Sequence, residues 1–132
     1  FNERWYGFDD GLYAAARLLE LLSLQEDDSA TLMARYPSGA TTPELVQPVD
    51  DQRKFALIDA LRQQADWNGG RLIEIDGLRV EFPFGWGLVR ASNTTPALTL
   101  RFEADSNEEL QQLQQLFREQ LARVAPDISP TF

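Results

Sequence analysis

The side chains best suited to chemistry lie close together in the second half of the sequence, in the stretch Arg90-Ala-Ser-Asn-Thr-Thr-Pro96. An arginine can donate paired hydrogen bonds to phosphate oxygens, while hydroxyls, an amide and main-chain N–H groups donate to the others. The stretch therefore predicts a phosphate cradle. The alternative is a loop that satisfies its own polar groups through Asx- and Ser/Thr-turns, and the residue types alone leave both interpretations open. The candidate residues are Arg90, Ser92, Asn93, Thr94 and Thr95.

The distribution of charge favours the cradle. The chain has 132 residues and a formal net charge of −9, yet the 21 residues between Glu81 and Glu103 contain no acid and two cations, Arg90 and Arg101. We expect this segment to form an acid-free pocket wall, although buried strands also exclude charge. A chain this acidic disfavours nucleic acids and anionic membranes as partners, because affinity for them depends on many basic contacts.

Several kinds of catalysis are excluded by composition. The chain contains neither cysteine nor histidine, so it offers no disulfide, no thiolate and no serine–histidine or histidine–zinc mechanism. No carboxylate pair stands out as an acid and a base, and no nucleophile has a base nearby in sequence. The residues by themselves indicate a binding part rather than a catalytic centre.

Other short motifs have structural explanations. Asp9-Asp10-Gly11 and Asp27-Asp28 lack the alternating spacing of a calcium loop, so we interpret them as helix caps and solvated charge. Gly85-Trp86-Gly87 fits either a close approach of the backbone to a ligand or a turn with a packed tryptophan. The sequence has no apolar run of membrane-spanning length and no leader at its start. Because it begins with Phe1, we expect it to start inside a longer protein or after processing.

Hydrophobic periodicity divides the chain into a helical first part and a mixed second part. Helices are predicted over residues 8–24 and over Ser29–Tyr36. Pro37-Ser-Gly39 then predicts a break, which sets the boundary between segments 1–37 and 38–132. The apolar face of the first helix has to dock on the second segment, meet another copy or fray. That face is predicted to be Phe8, Leu12, Ala15, Leu19 and Leu22.

The second segment is predicted to begin with a strand and a helix. The strand, Thr42–Val49, contains prolines and therefore belongs at an edge of a sheet or is irregular. Asp50 or Asp51 is predicted to cap the helix. The apolar face of this helix is predicted to be Phe55, Ile58, Leu61 and Ala65.

Four strands and a last helix follow. Asp76-Gly77 predicts a tight hairpin turn, and Ser106–Glu109 is a capping box that begins the last helix. Strands joined by short turns are antiparallel, and two amphipathic helices can cover one face of their sheet. The fold class is therefore α+β: a two-layer, largely antiparallel sheet of four to five strands with helices packed on one face. The predicted strands are Arg71–Ile75, Leu78–Phe82, Gly85–Arg90 and Ala97–Ala104, and the last helix presents Leu110, Leu113, Phe117, Leu121 and Val124.

Longer motifs resemble a known family. Gly85-Trp-Gly-Leu-Val-Arg-Ala-Ser-Asn-Thr-Thr-Pro96, followed by Leu100-Arg-Phe-Glu-Ala-Asp105, resembles the C-terminal domain of bacterial phosphomannomutase/phosphoglucomutase, in the α-D-phosphohexomutase superfamily. The likeness extends to Phe1-Asn-Glu-Arg-Trp-Tyr-Gly-Phe-Asp-Asp-Gly11, to the Asp76-Gly77 hairpin and to Pro130-Thr-Phe132. It therefore covers essentially the whole chain.

The resemblance implies a TATA-binding-protein-like fold for residues 38–132 and a C-terminal helical remnant of the preceding, third domain for residues 1–37. It implies part of a four-domain cytoplasmic enzyme that interconverts the 1- and 6-phosphates of glucose or mannose. The reaction passes through a bisphosphorylated sugar, glucose 1,6-bisphosphate, and uses a phosphoserine and magnesium held by other domains. The loop over residues 90–95 is expected to hold the phosphate that is not transferred.

By the same resemblance, the partners of this chain are hexose phosphates and the first three domains of the enzyme, with no nucleic acid or membrane. The chain alone is expected to be inactive, with no catalytic residue and no metal ligand of its own. Two alternatives stay open at this point. One is a stand-alone module that binds a phosphorylated metabolite for regulation, and the other is a purely structural interaction domain.

Overall fold

The computed structural model describes residues 2–36 and 39–132, so Phe1 and most of the predicted break at Pro37-Ser-Gly39 lie outside the described residues. In these two ranges no helix combines the length and the apolar character needed to cross a bilayer. The chain divides into two compact units, Phe1–Pro37 and Ser38–Phe132.

The first unit contains two helices, and an aspartate caps the N-terminus of each. Helix α1 spans Gly11–Ser23, and the Asp10 carboxylate accepts a hydrogen bond from the Tyr13 N–H at 2.9 Å. Helix α2 spans Ser29–Met33 and is capped by Asp28. The N–H of Thr31 bonds that carboxylate and so holds the pKa of Asp28 below its ordinary value. Capping is thus confirmed for these acids, but both helices are shorter than predicted.

The apolar face predicted for α1 is not buried. No residue of α1 is buried, and Leu12 is 87% exposed. Phe8 precedes the helix and belongs instead to an aromatic group, in which its ring lies 6.5 Å from that of Trp5. Trp5 also stacks on Tyr13 at 4.4 Å between ring centroids. The amphipathic pattern therefore predicted the helix correctly, while this unit by itself leaves the leucines uncovered.

The second unit is an antiparallel sheet with two helices. The elements are β1 Ala40–Thr41, β2 Leu45–Pro48, α3 Lys54–Gln64, β3 Arg71–Ile73, β4 Leu78–Phe82, β5 Gly85–Ala91, β6 Ala97–Ala104 and α4 Asn107–Val124. The strands run in the order β1-β6-β5-β4-β3, and β2 pairs with β6 beside β1. The predicted strand Thr42–Val49 forms only as β2, because Pro43 lacks the N–H that a longer ladder needs, and β1 precedes it on the same edge.

The core lies between the sheet and the helices α3 and α4. Alternate residues of β6 face it, and Phe102 meets Phe117 of α4 edge-on at 5.0 Å between ring centroids. Ser106 caps α4 as predicted, since its hydroxyl oxygen accepts from the Glu109 N–H at 3.2 Å. The α+β prediction and the inward face of α4 are confirmed. The buried residues of α4 are Leu110, Leu113, Phe117, Gln120 and Leu121.

Two predictions for the second unit were wrong in detail. Helix α3 begins after Arg53 with no side-chain cap, because the Asp50 carboxylate bonds the Gln52 N–H in the preceding turn. Of its predicted apolar face, Phe55 is 58% exposed, while Leu61 is buried and Ile58 and Ala65 pack against the core. Strand β3 ends before the turn, so Ile75 is 93% exposed. The residues of α3 that are buried are Lys54, Leu57 and Leu61.

Replacing Phe117 by alanine tests the role of α4 in the core. Phe117 contacts both Phe102 and Trp67, so Phe117→Ala is expected to lower the free energy of unfolding by about 3–5 kcal/mol. The exposed Gln111→Ala on the same helix serves as the control and should change it by less than about 0.5 kcal/mol. Urea denaturation measures both variants. Equal stabilities would show that α4 does not anchor the core.

Candidate functional site

Arg90 lies near one end of the sheet, where the turn between β3 and β4 and the loop between β5 and β6 meet. The segment between β1 and β2 also reaches it through Glu44. The strand register places Arg90 opposite Thr99, and Thr99 opposite Val46. Because Val89 is buried toward the helices, Arg90 lies on the opposite, open face of the sheet.

The guanidinium of Arg90 is held by three neighbours. Its Nε donates to Thr99 Oγ1 at 3.1 Å, and its Nη1 lies 3.3 Å from Asp76 Oδ2. Its Nη2 lies 3.8 Å from Glu44 Oε2, and 45% of the side chain is exposed. The segment contains no acid along the chain, but the expectation of an acid-free pocket wall was wrong. Strand pairing brings two carboxylates that are distant in sequence beside the arginine.

The loop that follows Arg90 is organised by Ser92. The hydroxyl oxygen of Ser92 accepts from the Thr94 N–H at 3.4 Å and from the Thr95 N–H at 3.2 Å. The Thr95 hydroxyl also donates to it, at 2.8 Å. Ser92 and Thr95 thus form a Ser/Thr-turn, as the self-satisfying interpretation predicts. Their role in this structure is to shape the loop.

Asn93 and Thr94 are presented outward. Both are exposed, and among the residues that the structure describes their side chains have no hydrogen-bond partner. Asn93 borders a pocket of about 180 Å³ between the loop, α3 and the β3–β4 turn. Arg90 is not among the residues that line this pocket, and α3 packs on the face of the sheet opposite to Arg90. Asn93 and Thr94 carry the unpaired donors of the predicted cradle, and Arg90 carries its charge. The pocket is lined by Phe55, Ile58, Asp59, Asp76, Gly77, Ala91 and Asn93.

Lys54 was not predicted as a site residue from the sequence, yet it lies behind the loop. Its side chain is buried at the start of α3, and its Nζ donates to the Thr95 carbonyl at 3.3 Å. The same ammonium pairs with Asp51 at 2.6 Å. One signal in the sequence was available, because Lys54 is the only lysine among the 12 cationic residues of the chain.

The Gly85-Trp86-Gly87 motif packs within the sheet and does not face the loop. A Cβ at Gly87 would meet the ring of Phe117 at 2.5 Å, so a glycine is needed there to let α4 approach. Trp86 lies on the open face under Arg79, at 3.9 Å from the guanidinium carbon to the ring centroid. The packing interpretation is thus the one the structure supports.

The remaining charges of the open face are mostly paired. Hydrogen bonds from Arg71 and Arg79 hold the pKa of Glu81 below its ordinary value. Arg101 lies diagonally from Arg90 across the β5–β6 pair, and within the described ranges it has no ion-pair partner. Residues 2–36 and 39–132 contain no group of three or more His, Cys, Asp or Glu side chains that could hold a metal ion.

An antiparallel sheet backed by two helices, with an Arg-Ala-Ser-Asn-Thr-Thr loop at one end, defines the class of phosphohexomutase C-terminal domains. Residues 44–120 match the family described as "Phosphoglucomutase/phosphomannomutase, C-terminal domain". The chain therefore belongs to the phosphoglucomutase/phosphomannomutase family and spans its C-terminal domain.

Relatives align over most or all of this chain, but they are much longer than it. Phosphomannomutase/phosphoglucomutase of Pseudomonas putida is 56% identical over 131 residues, which are 99% of this chain and 28% of that protein. Phosphoglucomutase of Neisseria meningitidis serogroup B is 51% identical over 89% of the chain and 26% of its own length. The crystal structure of a phosphoglucomutase/phosphomannomutase family protein from Burkholderia thailandensis superposes with a TM-score of 0.83 at 46% identity, over 100% of this chain and 28% of that one.

Two glycines with similar backbones allow a test of the contact between the turn and Arg90. Gly77 and Gly69 have φ values of +81° and +82°, but only at Gly77 would a Cβ meet Arg90, at 2.6 Å from its Cβ. Gly69→Ala is expected to cost about 1–2 kcal/mol of backbone strain. Gly77→Ala is expected to cost about 1–3 kcal/mol more through overpacking.

Denaturation measures both glycine variants, and the Arg90 Nε–H resonance reports the contact directly. That resonance should shift in Gly77→Ala and stay in place in Gly69→Ala. Equal stability losses with an unmoved Arg90 signal would contradict the geometry.

Proposed function

We propose that residues 38–132 form the phosphate-binding, fourth domain of a cytoplasmic enzyme that interconverts hexose 1-phosphates and hexose 6-phosphates. Residues 1–37 are then the last helices of the preceding domain. The relatives named above support this proposal, since one is a phosphomannomutase/phosphoglucomutase and the other a phosphoglucomutase. Because the chain spans 28% of the first of them, catalysis belongs to the longer protein.

The observation that carries the proposal is the half-exposed guanidinium of Arg90 beside a loop with unpaired donors. Its contacts to Asp76 and Glu44, at 3.3 and 3.8 Å, are longer than good charged hydrogen bonds, which measure about 2.7–2.9 Å. A phosphate dianion can therefore replace them with shorter, paired bonds. Asn93 and Thr94 then donate to its remaining oxygens.

Within the mutase reaction, this loop holds the phosphate that is not being transferred. The sugar must present its two phosphates in turn, so one site has to accept the molecule in both orientations. A site that recognises the phosphate alone meets this requirement, because the phosphate is the same at either end. Glucose and mannose phosphates are both compatible with it. The loop contributes binding and orientation, and it makes or breaks no bond.

The other parts of the reaction are assigned to other domains. The described residues hold no acidic cluster that could bind magnesium, and the phosphoserine and magnesium site that the family uses belong to the longer protein. Glucose 1,6-bisphosphate is the intermediate that the loop would hold by one end. The 132-residue chain alone is expected to show no mutase turnover, while still binding hexose phosphate weakly. A chain that turned over substrate would exclude this division of labour.

Loss of Arg90 tests the phosphate role. In the 132-residue chain, Arg90→Ala is expected to weaken binding of glucose 1-phosphate at least about tenfold, because it removes charged hydrogen bonds. Backbone amide shifts of residues 90–95 during a titration measure the affinity. The matched control is Arg123→Ala, which removes an exposed arginine at the end of α4 and should change the affinity by less than about twofold. No shift at residues 90–95 in the unmodified chain would overturn the proposed role.

Removal of a competing carboxylate provides an independent test with the opposite sign. Asp76→Asn leaves the turn residue nearly the same size but removes the charge that faces Arg90. The variant is expected to bind phosphate more tightly, by about two- to tenfold, because an anion no longer has to displace a carboxylate. Asp105→Asn, at the opposite end of β6, removes the same charge and should leave affinity unchanged. Weaker binding in Asp76→Asn would show that Asp76 orients Arg90 instead of competing for it.

A further inference from the structure

Lys54 is a buried cation that the proposed function leaves without a task. It is 5% exposed, although lysines are rarely buried unless their charge is paired. The pairing comes from Asp51 at 2.6 Å, and a second hydrogen bond goes to the Thr95 carbonyl at 3.3 Å. Burial of an ammonium group costs free energy, so these two partners define where its head group must lie.

The place of Lys54 in its helix is also unfavourable. It is the first residue of α3, and a helix N-terminus carries the positive end of the macrodipole. The preceding Arg53 provides no side-chain cap that would offset this. Burial and a position at the helix N-terminus both disfavour a lysine here. Residues that break local rules in this way are expected where function requires them.

The contacts of Lys54 fix the returning half of the loop. The Thr95 carbonyl, to which it donates, also accepts from the Ala97 N–H at 2.9 Å. The next carbonyl, that of Pro96, accepts from the Val49 N–H at 3.1 Å. Two successive carbonyls are thus tied to the segment that leads into α3. Because Thr95 donates twice to Ser92, an anchored Thr95 keeps the whole Ser/Thr-turn in place.

We propose that Lys54 is a positioning residue that holds the loop over residues 92–95 in its phosphate-binding conformation through the Thr95 carbonyl. The inference rests on the proposed function of that loop. Lys54 itself does not touch the phosphate, and Asp51 balances its charge. Its contribution is to keep Asn93 and Thr94 presented outward before the ligand arrives, which lowers the ordering cost of binding.

A pair of methionine variants at neighbouring positions tests the tether. Lys54→Met keeps the length and apolar volume of the side chain but removes its charge and its donors. Arg53→Met removes the adjacent cation, whose partner is Asp127 at 2.6 Å, away from the loop. Amide hydrogen exchange measures the loop without any ligand. The Thr95 amide is expected to exchange about tenfold faster in Lys54→Met and to stay within about twofold in Arg53→Met.

Ligand titration of the same variants gives the functional readout. Affinity for inorganic phosphate and for glucose 1-phosphate is expected to fall at least about fivefold in Lys54→Met and less than about twofold in Arg53→Met. Amides of Leu98 and Leu100 in β6 report whether the sheet remains folded. Unchanged exchange at Thr95 in a folded Lys54→Met would overturn the positioning role. A wild-type chain that binds neither ligand would instead overturn the proposed function, while the exchange comparison still decides the tether.

The wild-type chain allows a test without substitution. Because Lys54 is the only lysine, peptides from a digest distinguish its acetylation from that of the N-terminal amine. If loop order and ligand binding are coupled, saturating glucose 1-phosphate should slow acetylation of Lys54 at least about fivefold. An equal rate with bound ligand would contradict the proposal, including in the case where Lys54→Met does not fold.

Discussion

The antiparallel pairing of β5 with β6 is the constraint on which the rest of this domain depends. Its register runs from Gly85 opposite Ala104 to Ala91 opposite Leu98. One face of this pair carries Phe102 into the helical layer, where Gly87 leaves room for α4. The other face carries Arg90, and the loop that joins the two strands lies at the same end. A slip by one residue would exchange these faces and bury the arginine.

The balance of charge around Arg90 follows from this pairing. A single arginine faces two carboxylates that come from different connections, the β3–β4 turn and the start of β2. An anion therefore has to compete for a guanidinium that is already engaged, although loosely. This arrangement keeps an exposed cation in place in an acidic protein. Under the proposed function, the strength of phosphate binding therefore depends on residues that contribute no donor.

Much of the fold could be predicted from the sequence because local signals agreed with one another. The capping box at Ser106, the apolar period of α4 and the Asp76-Gly77 turn each specified an element, and all three are present. The prediction failed where tertiary contacts override local pattern. Phe55 looked like a core residue by spacing, but it is exposed in the first turn of its helix, where Lys54 is buried instead. The edge strand predicted from Thr42 begins only at Leu45, because Pro43 cannot donate to the ladder.

The sequence by itself determined the family, the two-layer fold and the loop over residues 90–95, because these depend on residues that are close together along the chain. Only the tertiary structure decided the surroundings of that loop. It brought Asp76 and Glu44 to Arg90, and it placed Lys54 behind Thr95, 41 residues away in sequence. It also divided the loop into Ser92 and Thr95, which bond each other, and Asn93 and Thr94, which face outward. The physical reason is that charge partners and hydrogen-bond directions are set by strand register and helix packing, which bring together residues that the sequence separates.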